Sequence, residues 1–157
     1  MPLADLVMAG LKFDSAALAK VGNDESENGN ALIMLIIPAI LAAVVGLVSG
    51  QSLAPVNLGT EDQIAIVIAN LFYSLFSTFV YAWIFAFAAR VVGAKEASTM
   101  QAIRVLGASQ IWPIIGYLIG LAGVNLGTLL SLVGLIVFLI GMGAATGKGV
   151  GSMVVAW

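Results

Sequence analysis

Residues able to carry chemistry are few in this chain, so their types and positions decide what it can do. There is no His and no Cys among the 157 residues. That removes the imidazole and thiolate ligands on which zinc, copper, haem and iron-sulfur sites usually depend, together with Cys and His nucleophiles and any disulfide. All eight carboxylates lie outside the long apolar runs, so none is placed to relay protons or ions at membrane depth. One glycine-rich stretch, "MGAATGKGVGS" from Met142 to Ser152, imitates a phosphate-binding loop. Such a loop needs a glycine five residues before the Gly-Lys pair and a Ser or Thr after the lysine. Met142 and Gly149 hold those places, so no nucleotide site is expected. The glycines at 143, 147 and 151 read instead as close helix packing or a flexible exit from an apolar segment.

The remaining candidates are polar residues in apolar surroundings. "AIRVLGASQIWPIIGYLIG", Ala102 to Gly120, carries Arg104, Gln110 and Pro113. Arg104 at the start of an apolar run can snorkel to a phosphate layer. Gln110, two turns further on, should face other helices, because an unpaired amide in hydrocarbon costs several kcal/mol. Pro113 frees the carbonyl of Ser109 and predicts a kink, with the Ser109 hydroxyl or Gln110 helping to satisfy the break. Pro38 should act likewise on the carbonyl of Met34.

These readings depend on the solvent, which composition settles. Hydrophobic residues make up 61% of the chain and charged residues 9%, against about 25% charged in an average soluble domain, and the mean hydropathy is +1.11. The chain is expected to be an all-α, multi-span transmembrane bundle. Four charge-free segments are long enough to cross a bilayer: 31–48, 64–89, 105–123 and 126–144. The first follows about thirty polar-containing residues, unlike the short apolar region of a signal peptide. Lys12 and Lys20 precede it, Arg90, Lys95 and Arg104 fall around the second connection, and Lys148 follows the fourth segment. Four crossings put every basic residue on one side, which the positive-inside rule makes the cytoplasm, with both termini there. A net charge of −2 argues against nucleic acid as a partner.

Packing in lipid needs small residues and a few polar groups. Ala42, Gly46 and Gly50, then Gly116 and Gly120, then Gly127 and Ser131, make small-xxx-small ladders on three spans. On the second span, Phe72, Phe76, Phe79, Trp83 and Phe87 align on one helical face. Asn70, Ser74, Ser77 and Tyr81 make a polar line roughly opposite. The polar line should face the bundle, as the partner of Gln110, and the aromatic line should face lipid. The aromatic face also leaves room for another protein, a bound lipid, a quinone or a pigment; no cofactor is held by the chain itself. Before the spans, residues 1–30 hold Leu3, Leu6, Val7 and Leu11 at helical spacing and Asp14 or Ser15 as a cap for a second short helix. This segment is expected as amphipathic helices on the cytoplasmic membrane face. The acidic "NDESEN", Asn23 to Asn28, reads as a solvated loop.

The order of features resembles prokaryotic members of the Yip (Rab-interacting) membrane protein family over roughly Leu11 to Thr146. The similarity rests on "LKFDSAALAKV", an acidic link, a long second span ending in "AARVVGAKEAS", and "AIRVLGASQIWPIIGYL" with Arg104, Gly107 and Pro113 after a short loop holding Gly93. The resemblance implies a multi-span helical domain without enzymatic activity. Eukaryotic relatives act in vesicle traffic through a long N-terminal region that has no counterpart here, so Rab binding is not carried over. Family members usually have five spans, whereas a Gly-rich tail, residues 145–157, stands where a fifth would begin; either the tail lies at the interface, with Trp157 among the headgroups, or the fold is completed by something else. The reading that follows is an accessory, assembly or scaffold subunit of the prokaryotic inner membrane, packed against other membrane protein subunits. The alternatives are a transport or channel component using Asn70, Ser74 and Gln110, and a lipid-interacting or membrane-shaping protein using the N-terminal helices.

Overall fold

The computed structural model describes residues 2–49, 63–122, 124 and 126–157, and among these the chain is all-helical. Two short helices, α1 (Leu3–Leu11) and α2 (Ser15–Asn23), precede a 3₁₀ turn at Glu25–Glu27 and the first long helix, α3 (Asn28–Ser49). Then come α4 (Gln63–Val91), α5 (Thr99–Ser109), α6 (Ile111–Leu121), α7 (Gly127–Ala145) and α8 (Val150–Ala156). Three segments are each long and apolar enough to cross a membrane: Glu25–Val48, α4 and α7. The α5–α6 pair makes a fourth only if its 40° bend is counted as one broken span. Helices are the natural product here, because a chain in hydrocarbon must satisfy every backbone donor and acceptor internally.

The bend falls where Pro113 predicts it. Pro113 lacks an amide hydrogen and cannot bond the Ser109 carbonyl, and the helix is interrupted at Gln110, whose own amide donates to the Gly107 carbonyl at 3.2 Å. The Ser109 hydroxyl donates to the Leu106 carbonyl at 2.7 Å instead of helping at the break. No interruption occurs at Pro38: α3 is one helix from Asn28 to Ser49. Met34, Leu35, Ala39, Ala42 and Ala43 are all buried around it, so close packing holds the helix together despite the missing bond.

α5 occupies the centre. Eight of its residues, Gln101 to Val105 and Gly107 to Ser109, are buried, and it packs on α1, α2, α3, α4 and α7. Small residues allow this. A Cβ on Gly107 would lie 2.8 Å from the Ala31 Cα of α3, and one on Gly141 of α7 would lie 2.5 Å from the Val105 side chain. One core joins Leu35, Phe85, Ile103, Phe138 and Met142. A second joins Leu6, Leu18, Val21, Met34, Ala108 and Val137.

That second core corrects the expectation for the N-terminal segment. α1 and α2 form at the expected places, and Asp14 caps α2 by accepting from the amides of Ala16 and Ala17 at 3.1 and 3.0 Å. They do not lie apart on a membrane surface, however. Leu6, Leu18 and Val21 are fully buried against the bundle, and the Trp112 indole donates to the Gly10 carbonyl at 3.1 Å. The hydrophobic positions that looked interfacial are core positions once α5 and α7 offer glycine and alanine surfaces to receive them. The acidic run is likewise ordered. Glu27 is buried and accepts from the Asn30 amide at 2.9 Å, and Asp24 accepts from the Ser26 hydroxyl and amide at 2.6 and 3.0 Å.

The tail is a helix that returns into the bundle. Gly147 and Gly149 take φ of +66° and +75°, left-handed values that glycine adopts without strain. Gly143 lets the turn approach its backbone, and its carbonyl accepts from the amides of Lys148 and Gly149 at 3.1 and 3.3 Å. α8 then packs on α7 and α4, bringing the Trp157 ring within 4.6 Å of Tyr81 and 6.1 Å of Phe138. Phe138 precedes the end of α7 by seven residues, about 10 Å of helix. Trp157 therefore lies alongside the body of α7 and not at its terminus. The near-P-loop sequence is this helix-turn-helix reversal.

The glycine ladders divide. A Cβ on Gly116 would meet the Gly127 Cα at 3.2 Å, so this pair marks a close approach of α6 and α7. Gly120 faces open space and takes no part, Ser131 is exposed, and Gly50 lies outside the described residues. Replacing Gly107 with leucine should cost at least about 1–3 kcal/mol, since the collision is with backbone. Gly120→Leu should stay within about 0.5 kcal/mol. Thermal unfolding of the two variants in detergent, followed by size-exclusion chromatography, checks the ranking.

Candidate functional site

Ser98 starts α5 by accepting from the Gln101 amide at 3.0 Å. Gln101 and Arg104, three residues apart, then share one side of the helix. Arg104 is 6% exposed and does not snorkel outward. Its Nε donates to the Gly22 carbonyl at 2.9 Å and its Nη1 to Asn28 Oδ1 at 3.0 Å. Gly22 lies in the last turn of α2 and Asn28 opens α3. The guanidinium thus sits at the negative end of the α2 dipole and fastens α2 and α3 to α5. A buried charge with two aligned acceptors is better placed here than at a distant headgroup.

Beside it lies a polar cavity of about 710 Å³. Its lining comes from the end of α2, the α4–α5 connection, α5 and the α7–α8 turn, and includes Asn23, Glu25, Lys95, Glu96, Gln101 and Lys148. A relay of amides runs along one wall. Asn23 Nδ2 donates to the Ala145 carbonyl at 3.2 Å, and Gln101 Nε2 donates to Asn23 Oδ1 at 2.6 Å. Gln101 Oε1 is buried without a partner. None of Asn23, Lys95, Gln101 or Lys148 stands out in the sequence as a site. The available signal is the i, i+3 pairing of Gln101 with Arg104 behind a serine cap; only the tertiary fold brings Asn23 and Lys148 to it. The neighbouring Asp24 carboxyl is held below the usual carboxylate range by the hydrogen bonds from the Ser26 hydroxyl and amide. Its contribution to the turn is therefore present at neutral pH and lost as pH falls through that lowered value.

A second feature opens on the flank of the bundle between α6 and α7. Two adjoining hollows of about 350 and 320 Å³ share Pro113, Thr128 and Ser131. The first adds Gln110, Phe138 and Trp157, and the second Tyr117. Gln110 thus borders α7 and α8, and the polar line of α4 is not its partner. The Ser77 and Thr78 hydroxyls turn back to the Ser74 carbonyl at 3.1 and 2.8 Å, satisfying themselves within their own helix. Asn70 is buried, Ser74 and Ser77 are half-buried, and Tyr81 is exposed against Trp157. Neither Asn70 nor Ser74 lines the groove that Gln110 lines. The aromatic line lies where the helical spacing puts it: Phe72, Phe76, Phe79, Trp83 and Phe87 are between 41% and 70% exposed. Between Leu71 and Tyr81, α4 has no buried residue.

Together these features define a helical bundle whose long helices suit a membrane, with a polar cavity at one end and an open lateral groove. No family model, curated protein or solved structure matches this chain. Among the described residues, no group of three or more His, Cys, Asp and Glu could hold a metal ion. Arg104→Met removes the donors to Gly22 and Asn28 and should cost about 3 kcal/mol or more, since hydrogen bonds to charged groups contribute about 1.5–3 kcal/mol each. Arg104→Lys keeps the charge but not the fork geometry and should recover only part of this. Melting temperatures of both variants in one detergent test the order.

Proposed function

We propose that this chain is a non-enzymatic integral membrane protein that serves as an accessory, assembly or scaffold subunit, offering its lateral groove to a transmembrane helix of a larger complex. The observation that carries this reading is the set of polar side chains along the groove. Among the described residues, the side-chain amide of Gln110 and the hydroxyls of Thr128 and Ser131 make no hydrogen bond, and such groups are costly to leave unpaired in apolar surroundings. A neighbouring helix supplies both the apolar packing and the backbone or side-chain partners that they lack. The exposed aromatic face of α4 adds a second apolar surface of the kind that packs on a partner or on lipid. The positive-inside rule puts Lys95, Arg104 and Lys148 at a cytoplasmic end, and the resemblance to prokaryotic Yip proteins agrees with an inner-membrane, non-catalytic role. Transport is less favoured, because Asn70, Ser74 and Gln110 do not come together along one path.

The test is a photo-crosslinking residue placed at Ser131 in the native membrane, with a second at Ile36 on the exposed side of α3. Ser131 should give one discrete adduct with another membrane protein at fixed stoichiometry, and Ile36 should give mainly lipid. A chain that purifies alone in mild detergent and forms no protein adduct from Ser131 would overturn the reading.

A further inference from the structure

The depth of the bundle in a bilayer is limited by charges that no helix covers. Asp5, Lys12, Asp14 and Lys20 are exposed along α1, α2 and their turn, and ionised groups of this kind are expelled from hydrocarbon. α1 and α2 therefore lie outside it. Yet their turn reaches far along the neighbouring helices. The Gly10 carbonyl accepts from the Trp112 indole at 3.1 Å, and the Phe13 ring lies 5.7 Å from that of Trp112, so the turn stands beside the second residue of α6. α2 then runs back along the end of α7, where Leu18 meets Gly141 and Asn23 donates to the Ala145 carbonyl. Val137 is buried with Leu6 and Leu18. On this flank the hydrocarbon can begin only past Trp112 on α6 and before Val137 on α7. What remains is short: residues 112–121 and 127–136 are ten residues each, about 15 Å of helix, half of a ~30 Å hydrocarbon core. The connection between them suits that depth. From Val105 to Gly147 the chain has no charged residue. The amides of Ala122, Val124 and Leu126 donate to backbone carbonyls of the turn at 3.0, 3.3 and 3.1 Å, so they are not left bare to lipid.

We propose that α6 and the first half of α7 form a re-entrant hairpin that enters and leaves through one leaflet, and that the α1–α2 turn docks on the headgroup layer of that leaflet. Phe13 and Trp112 supply aromatic rings of the kind that settle at this layer, and Lys12 supplies a cation for its phosphates. Phe13 holds a φ of +55°, uncommon for an aromatic residue, while its ring stays 37% exposed. Burial within the chain does not account for that strained turn; contact with lipid does. α3 and α4 cross fully. On α4 the exposed apolar surface runs from Ile64 to Val91, about 40 Å of helix, which fits the same core only when tilted, and tilt lets one flank of the bundle ride higher than the other. A re-entrant hairpin and two full crossings leave the C-terminus on the same side, so the distribution of Lys and Arg fits both; the length left below the charged turn decides. The hairpin stands whether or not the lateral groove takes a partner.

The chain has no cysteine, so one introduced cysteine carries one nitroxide. Ala16→Cys, Gln63→Cys and Val124→Cys, all at exposed positions, are labelled in the full chain. Each is placed in nanodiscs of phosphatidylcholine and phosphatidylglycerol, and depth is read from the ratio of collisions with oxygen and with a water-soluble nickel chelate. The Val124 label should lie deepest, about 15 Å from either boundary of the core, with Gln63 at the far headgroups and Ala16 at the near ones. A Val124 label at the depth of Gln63 overturns the hairpin in favour of two full crossings. An Ala16 label within the hydrocarbon, or out in bulk water, overturns the docked turn. Yield gives a second readout: Val124→Asp should lower the amount of membrane-inserted protein severalfold and Gln63→Asp should leave it unchanged, whereas equal yields would count against a turn held in hydrocarbon and overturn the hairpin.

Discussion

The structure depends on one buried cation. Arg104 reaches the Gly22 carbonyl and Asn28 Oδ1 at once, so the end of α2 and the start of α3 share a single hub on α5. A guanidinium can do this because its donors are fixed in a plane and point in different directions. Once α2 is held there, Leu18 and Val21 have nowhere to go but the core beside Met34 and Val137. The N-terminal helices become part of the bundle, and α5, the least lipid-like of the central helices, is enclosed on nearly every side.

Close backbone approach does the rest. In lipid there is little hydrophobic drive between helices, so contact area must come from surfaces that fit. Gly107 against Ala31, Gly141 against Val105 and Gly116 against Gly127 supply such surfaces. They concentrate on one side of the bundle. α4 remains attached along a narrow strip of Ile66, Asn70, Ala82, Phe85, Ala86 and Ala89, while its rings face outward. The same asymmetry leaves the groove beside Gln110 open, with Trp157 at one end. An interior tight on one side and unfilled on the other is the physical basis of the proposal that this chain packs on a partner.

Much of the architecture could be read from the chain directly. Spacing located α1 and α2, with the cap narrowed to Asp14 or Ser15, apolar length located α3, α4 and α7, and Pro113 located the break at Gln110. The aromatic stripe was legible because a helical period of 3.6 residues places Phe72, Phe76, Phe79, Trp83 and Phe87 together whatever surrounds them. The partners of Arg104 were not, since hydrogen-bond partners 76 to 82 residues away have no local signature. Likewise a glycine pattern does not reveal which glycine meets a backbone: Gly116 does and Gly120 does not.

What the sequence determined by itself was therefore what composition and short-range periodicity set: an all-helical chain with spans long enough for a bilayer and one outward aromatic face, with Pro38 and Pro113 as the only candidate breaks in those spans. Only the tertiary structure decided that the N-terminal helices are core, that the tail returns as α8, that Arg104 is a buried anchor, and that Asn23, Gln101 and Lys148 surround one cavity. The reason is that helix formation in an apolar chain is settled within a few residues, by the need to satisfy each backbone group locally. The side on which two helices meet is settled by the fit of surfaces far apart in sequence.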